Sequence, residues 1–201
     1  MIGYFRILTS LRRVAFALLS AAQSAGAEPP DELLPFIPTD AKYLAHAVGD
    51  LNGDGRQDYV LVVEKQTPNK PGYVIEEHQR PLFIIIRQLD GSLVSRKGNE
   101  RIVFCDRCGG VFGDPFASLT AGKNTFTVQH YGGSAWRWGF EYQFDYSRRD
   151  DTWQLVRVEE LSFHISDPEK AEVKIYRPPH DFGLIDIADF DPGNFQGVGK
   201  Q

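Results

Sequence analysis

Residues 136–146 read WRWGFEYQFDY, and this stretch constrains the architecture more tightly than its neighbours do. Trp136, Trp138, Phe140, Tyr142, Phe144 and Tyr146 take every second position, with Arg137, Gly139, Glu141, Gln143 and Asp145 between them. A two-residue period sends successive side chains to opposite faces of an extended strand, whereas a helix would need a period of 3.6. One face is therefore aromatic and the other polar. Upstream of a Gly132-Gly133 break, Phe126 and Val128 alternate with Thr127 and Gln129 in residues 125–131. Downstream, SRRDDT (147–152) makes a polar turn into a long strand over 153–165. There Trp153, Leu155, Leu161, Phe163 and Ile165 share one face, interrupted by Arg157 and Glu159, while Val156 and Val158 are apolar on the other. A bulge near the middle, or burial on both faces, would reconcile the two patterns. Residues 172–176 form a last short strand before Pro178-Pro179.

The N-terminal half reads the same way. Residues 43–48 and 59–64 are apolar runs separated by an acidic, glycine-bearing loop, the pattern of a hairpin. Residues 82–87 (LFIIIR) are too short for a typical helix and rich in isoleucine, which fits a central strand covered on both faces. Asp90-Gly91 marks a tight turn into a strand at 92–95, and 101–104 is a further short strand. Residues 65–81, broken by Pro68, Pro71 and Pro81, read as an exposed excursion. Residues 28–40 hold Pro29, Pro30, Pro35 and Pro38 and leave room for one turn of helix around 31–34. The expected fold is mostly β: a single antiparallel domain of consecutive hairpins, meander- or sandwich-like, with few short helical turns. It spans 41–190 and is followed by a loose tail at 191–201.

Residues 1–27 have the order of an export signal: basic Arg6, Arg12 and Arg13, then VAFALLSAA (14–22), then Ala25-Gly26-Ala27 in an A-x-A pattern. The apolar run is shorter than the about 20 residues that span a bilayer. Cleavage would leave 174 of the 201 residues and, with three arginines gone, would move the net charge from −5 to −8. That balance disfavours nucleic acid and anionic membrane surfaces as partners. The expected location is the periplasm or the cell exterior, and no later stretch is long enough to span a membrane.

The chemistry concentrates in GDLNGDGRQDYVLVVE (49–64). Asp50, Asn52, Asp54, Arg56 and Asp58 fall at positions 1, 3, 5, 7 and 9, with Gly55 at position 6 for a sharp bend. Hard calcium takes oxygen ligands at this spacing, with Arg56 contributing its backbone carbonyl. An EF-hand would also need a bidentate Glu at position 12, where Leu61 stands, so the loop closes on Asp58 instead. Over residues 43–64 the pattern D-x-[DN]-x-[DN]-G-x-x-D resembles the calcium loops of integrin-α-like, or FG-GAP, repeats. The resemblance implies a Ca2+ ion held in a β-hairpin. One copy occurs, in a chain too short for a full propeller. CDRCGGVFGDPF and HYGGSAWRW are similar to segments of uncharacterised secreted bacterial proteins.

Cys105-Asp106-Arg107-Cys108 admits three readings: a local disulfide, a thioredoxin-like redox pair, or half of a zinc site that His130, His164 and His180 would have to complete. The glycines that follow argue for a loop rather than the helix N-terminus a redox pair needs. His130, Tyr131, Trp136 and Trp138 could stack on a sugar or grip a peptide; the alternative is that Trp136 and Trp138 simply begin the aromatic core face. Glu141, Glu159 and Glu160 are a weak carboxylate set for glycan hydrolysis. The expectation is a non-enzymatic, exported, calcium-binding domain with a structural or interaction role in the cell envelope, its partner a protein or glycan. A periplasmic thiol–disulfide enzyme is the alternative, and a cell-wall hydrolase or glycan binder a more distant one.

Overall fold

The computed structural model describes residues 28–66 and 78–193. The expected signal segment, most of the 65–81 excursion and the end of the tail lie outside the described residues. Nine strands run in chain order: β1 (Ala41–Gly49), β2 (Asp58–Lys65), β3 (Arg80–Arg87), β4 (Leu93–Val103), β5 (Phe116–Gly122), β6 (Thr125–Gly133), β7 (Trp136–Ser147), β8 (Thr152–His164) and β9 (Glu172–Tyr176). They form two antiparallel sheets, β1-β2-β3-β4 and β5-β6-β7-β8-β9, each strand beside its sequence neighbour. Short 3-10 turns at Asp31–Phe36 and Pro168–Lys170 complete the described elements. Among the described residues no helix is long and apolar enough to cross a membrane.

The two-residue period places the core. Phe126 and Val128 of β6, Tyr142 and Phe144 of β7, and Leu155 and Val158 of β8 meet Val60, Val62, Leu82, Ile84 and Ile86 of the other sheet. Burying each such side chain stabilises by about 1.5–3 kcal/mol. The opposite face of β2 and β3 is covered as well. Tyr59, Leu61, Val63 and Ile85 pack with Leu33 of the first 3-10 turn and with Phe36 and Ile37. Burial on both faces is why these two strands read as unbroken apolar runs. The irregularity in β8 is a bulge: Gln143 faces Arg157 and Phe144 faces Leu155, leaving Val156 as the extra residue. It turns Arg157 and Glu159 outward while Leu155 and Val158 stay in the core.

Two elements differ from the sequence reading. Residues 92–95 and 101–104 belong to one strand, β4, with register shifts opposite Arg80–Leu82 and Ile84–Ile85. Asn99 carries the chain through the irregular part, since its Oδ1 accepts the amides of Arg101 (2.7 Å) and Ile102 (3.0 Å). Strand β5 was not expected, because FASLTAG offers small residues and no clear alternation. It lies at the edge beside β1, so close that a Cβ on Gly49 would stand 2.7 Å from the Gly122 carbonyl oxygen. After β9, Phe182, Ile187 and Phe190 return to the core, where Asn99 Nδ2 donates to the Ile187 and Phe190 carbonyls at 2.6 and 2.8 Å.

Candidate functional site

The Asp50–Asp58 loop closes one end of the sandwich, joining β1 to β2. Gly53 (φ 74°) and Gly55 (φ 87°) adopt the left-handed conformation that bends it. Asp58, fully buried at the start of β2, accepts the amide of Leu51 through Oδ2 and that of Arg87 through Oδ1, both at 2.9 Å. It thereby ties the loop to β3. Burial raises the Asp58 pKa above the usual carboxylate range; the two amides oppose this and the charges of Asp54 and Asp50 reinforce it.

Asp50 Oδ2 accepts the Gly55 amide at 3.1 Å, while its Oδ1 is buried without a hydrogen-bond partner. Asn52 and Asp54 bond to each other, Asn52 Nδ2 donating to Asp54 Oδ2 at 2.8 Å. The Arg56 guanidinium pairs with Asp54, and its Nε donates to the Arg87 carbonyl at 3.0 Å. Sequence reasoning missed Asn124 here. It sits in the β5–β6 turn at φ 61°, donates its amide to the Asp50 carbonyl at 2.7 Å, and holds a second buried oxygen, Oδ1, without a partner. That oxygen lies against Gly53, where a Cβ would stand 2.4 Å from it. The Gly122-Lys123-Asn124 turn gave no hint of this, because the contact joins residues some 70 positions apart.

A cleft of about 130 Å³ adjoins the loop, lined in part by Asn52, Asp54, Arg56, Arg87, Arg96 and Asp151. Its guanidiniums are paired, Arg96 with Asp151 at 2.7 Å and Arg87 with Glu32 at 2.8 Å. Neither sign of charge dominates there.

At the opposite end Cys105 and Cys108 form a disulfide, S–S 2.06 Å. The bonded sulfurs supply no thiolate to a zinc ion. The pair occupies a turn and not a helix N-terminus, and the turn is pinned to the end of β6. Gly133 donates its amide to the Gly109 carbonyl at 2.9 Å and Tyr131 to the Pro115 carbonyl at 2.8 Å. A Cβ on Gly109 would lie 2.6 Å from the Gly113 carbonyl oxygen, so this packing requires glycine.

The four aromatic candidates separate. His130 is 2 % exposed, stacks on Phe104 at 4.3 Å and accepts the Phe104 amide through Nε2 at 3.2 Å. Burial foremost, helped by the Arg80 charge, lowers its pKa to about 3, so at neutral pH it is an uncharged core residue closed to surface ligands. Trp138 is half-buried against Phe104 and Phe140. Trp136 is 65 % exposed, edge-on to His164. Tyr131 packs on Phe112, over which Arg137 stacks at 4.2 Å. Of the carboxylates, Glu141 and Glu159 share the Arg157 guanidinium, and Glu160 accepts from the Tyr176 hydroxyl at 3.3 Å.

The least expected group lies beneath the disulfide turn. Arg80, 1 % exposed, donates to Glu64 Oε2 through Nε (2.8 Å) and Nη2 (2.6 Å), and to both oxygens of Asp114 at 2.6 Å. Glu64 Oε1 also meets Lys42 Nζ at 2.7 Å. Beside it, His78 Nδ1 and Asp106 Oδ2 are 3.0 Å apart. Among the described residues, Glu64, His78 and Asp106 are the three ligating side chains whose atoms converge within 4.8 Å; the loop aspartates do not converge so closely.

Compared with known proteins, the chain matches no family model, no curated protein and no solved structure.

Proposed function

We propose that the protein is a non-catalytic β-sandwich, exported to the periplasm or cell exterior and fastened by one Ca2+ ion at the Asp50–Asp58 loop. The observation that carries the reading is Asp50 Oδ1, a buried carboxylate oxygen without a partner inside a glycine-bent ladder of oxygen side chains. The Asn124 Oδ1 orphan beside Gly53 supports it. Asp50, Asn52, Asp54, the Arg56 carbonyl and Asp58 would hold the ion, and Asn124 adds a neutral oxygen nearby. The ion supplies positive charge where Asp50, Asp54 and Asp58 repel one another, and its binding energy adds to folding energy. To hold the ion the loop aspartates must draw closer together, and Asp54 must share an oxygen now bonded to Asn52 or Arg56.

Function then rests on a surface at the other end of the domain whose folding the ion stabilises. Trp136, with the half-buried Trp138 on the same face of β7, offers aromatic area to an envelope protein or glycan, while Tyr131 lies on the other face of the sheet. The disulfide, in a turn pinned by backbone bonds, serves as a fastener of the other end rather than as a redox centre.

Calorimetric titration of Ca2+ into the chelator-treated protein tests the reading. One saturable site is expected, lost in Asp54→Ala, whose side chain is at the loop rim and leaves the core untouched. Absence of binding heat in the unmodified protein would refute it.

A further inference from the structure

We infer that Glu64, His78 and Asp106 form a second metal site, for a divalent transition ion such as zinc, at the end of the sandwich away from the aspartate loop. One imidazole and two carboxylates suit Zn2+ and its neighbours, and the imidazole disfavours Ca2+, which prefers oxygen. Their ligating atoms lie within 4.8 Å of one another. The 3.0 Å between His78 Nδ1 and Asp106 Oδ2 is slightly shorter than the about 3.4 Å edge of a tetrahedron with zinc bonds near 2.05 Å. Small side-chain movements would therefore open the site around an ion.

The three residues are held by different devices. Glu64 lies one residue before the end of β2 and is 3 % exposed; Arg80 fixes its Oε2, which leaves Oε1 as the ligand atom. Arg80 is itself held by both oxygens of Asp114, an outer partner of the kind that orients metal-bound carboxylates. Asp106 is carried by the disulfide turn, and its Oδ1 accepts the His78 amide at 3.3 Å. The cation now on Glu64 Oε1 is Lys42, whose side chain is 58 % exposed and free to swing into solvent. With Lys42 and the 57 % exposed Arg107, whose Nε lies 4.0 Å from Asp106 Oδ2, both turned to solvent, Glu64, Asp106 and Asp114 against Arg80 leave a local charge of −2, which a divalent ion and a neutral His78 balance. Binding moves the proton shared between His78 Nδ1 and Asp106 to Nε2 of the same ring, or releases it, and forms bonds from the ion to Nδ1, Oε1 and Oδ2. The remaining coordination position is open to water.

The rival account treats the same atoms as a plain hydrogen bond beside an ion pair. Titration of ZnCl2 into the full chain, after removal of metal with chelator, decides between them. One saturable zinc site is expected, weakened at least tenfold in His78→Ala and in Asp106→Asn, unchanged in Asp54→Ala, and not displaced by equimolar CaCl2. Both altered side chains are partly exposed, and Asp106→Asn retains an oxygen acceptor for His78, so circular dichroism should report an intact fold. Cobalt(II) in place of zinc should give visible d–d bands that Asp106→Asn alters. No saturable zinc binding, unaltered affinity in either variant, or displacement by calcium would overturn the proposal. Since Asp54→Ala removes a ligand of the aspartate loop and none of Glu64, His78 and Asp106, failure of one metal site is distinguishable from failure of the other.

Discussion

Strand β2 carries a buried carboxylate near each end, Asp58 fully buried at its start and Glu64 3 % exposed one residue before its last, and the two are stabilised in opposite ways. Glu64 has cations, Arg80 from the next strand and Lys42 from the previous one. Asp58 has two backbone amides, and the nearest charges acting on it are the like charges of Asp54 and Asp50. Arg56 turns its guanidinium to Asp54, and Arg87 turns its own to Glu32, so neither neutralises Asp50 or Asp58. A carboxylate taken from water needs a charge partner or strong hydrogen bonding. The Glu64 end carries its own cations, whereas at the aspartate end the Arg148 guanidinium reaches Gly53 but, among the described residues, no ion pair engages Asp50 or Asp58. That asymmetry is the physical case for an external cation at the loop.

The largest effect expected from breaking it lies at the Glu64 end. Arg80→Met strands Glu64 and Asp114 and should cost about 3–5 kcal/mol, read as a fall in the urea midpoint. Adding Glu64→Leu should recover much of the loss, because an apolar pair of similar volume avoids the desolvation.

The two ends also titrate with opposite signs. His130, near Arg80, has its folded pKa lowered to about 3 from an ordinary 6.5. Its contribution is complete above pH 6.5 and is lost progressively as pH falls from there towards 3. His130→Leu should flatten that part of the stability–pH curve. Asp58 has its pKa raised, so in the calcium-free protein its contribution is present below about pH 3.8 and is lost as pH rises through the raised value. Relative to Asp58→Asn, the unmodified protein measured with chelator should lose stability over that window, and saturating Ca2+ should remove the loss.

A smaller effect is expected from opening the disulfide. The ring it closes is four residues, which corresponds to about 2 kcal/mol of chain entropy. Cys105→Ser with Cys108→Ser should lower stability by that order and leave calcium binding unchanged. The smallest change should come from Trp136→Ala, within about 0.5 kcal/mol, since the ring is 65 % exposed. If it instead costs several kcal/mol, the ring belongs to the core and is not a contact surface.

What the sequence disclosed follows from the range of each interaction. The aromatic alternation of β7, the β8 bulge and the two-faced burial of β2 and β3 are local patterns, legible in a few consecutive residues. His130 was missed as a core residue, although it continues the inward positions of Phe126 and Val128 along β6 and that period was the signal that could have placed it. Strand β5 was not, because its place depends on the edge of β1 and on the Gly49–Gly122 approach. Arg80 stood in a proline-broken polar stretch, and its burial is explained by Glu64 and Asp114, 16 and 34 positions away. The loop's ligand spacing was plain in the sequence, but the inward turn of Asp58 and the orphan oxygens of Asp50 and Asn124 required the fold.

The account's central claim is that a missing cation at the aspartate end is supplied as Ca2+. Thermal unfolding of the unmodified protein and of Asp54→Ala, each with excess chelator and then with excess calcium, tests it most directly. At 100 times the dissociation constant, calcium should stabilise the unmodified protein by about 2.7 kcal/mol and leave Asp54→Ala nearly unmoved. Superimposable curves for the unmodified protein with and without calcium would contradict the account.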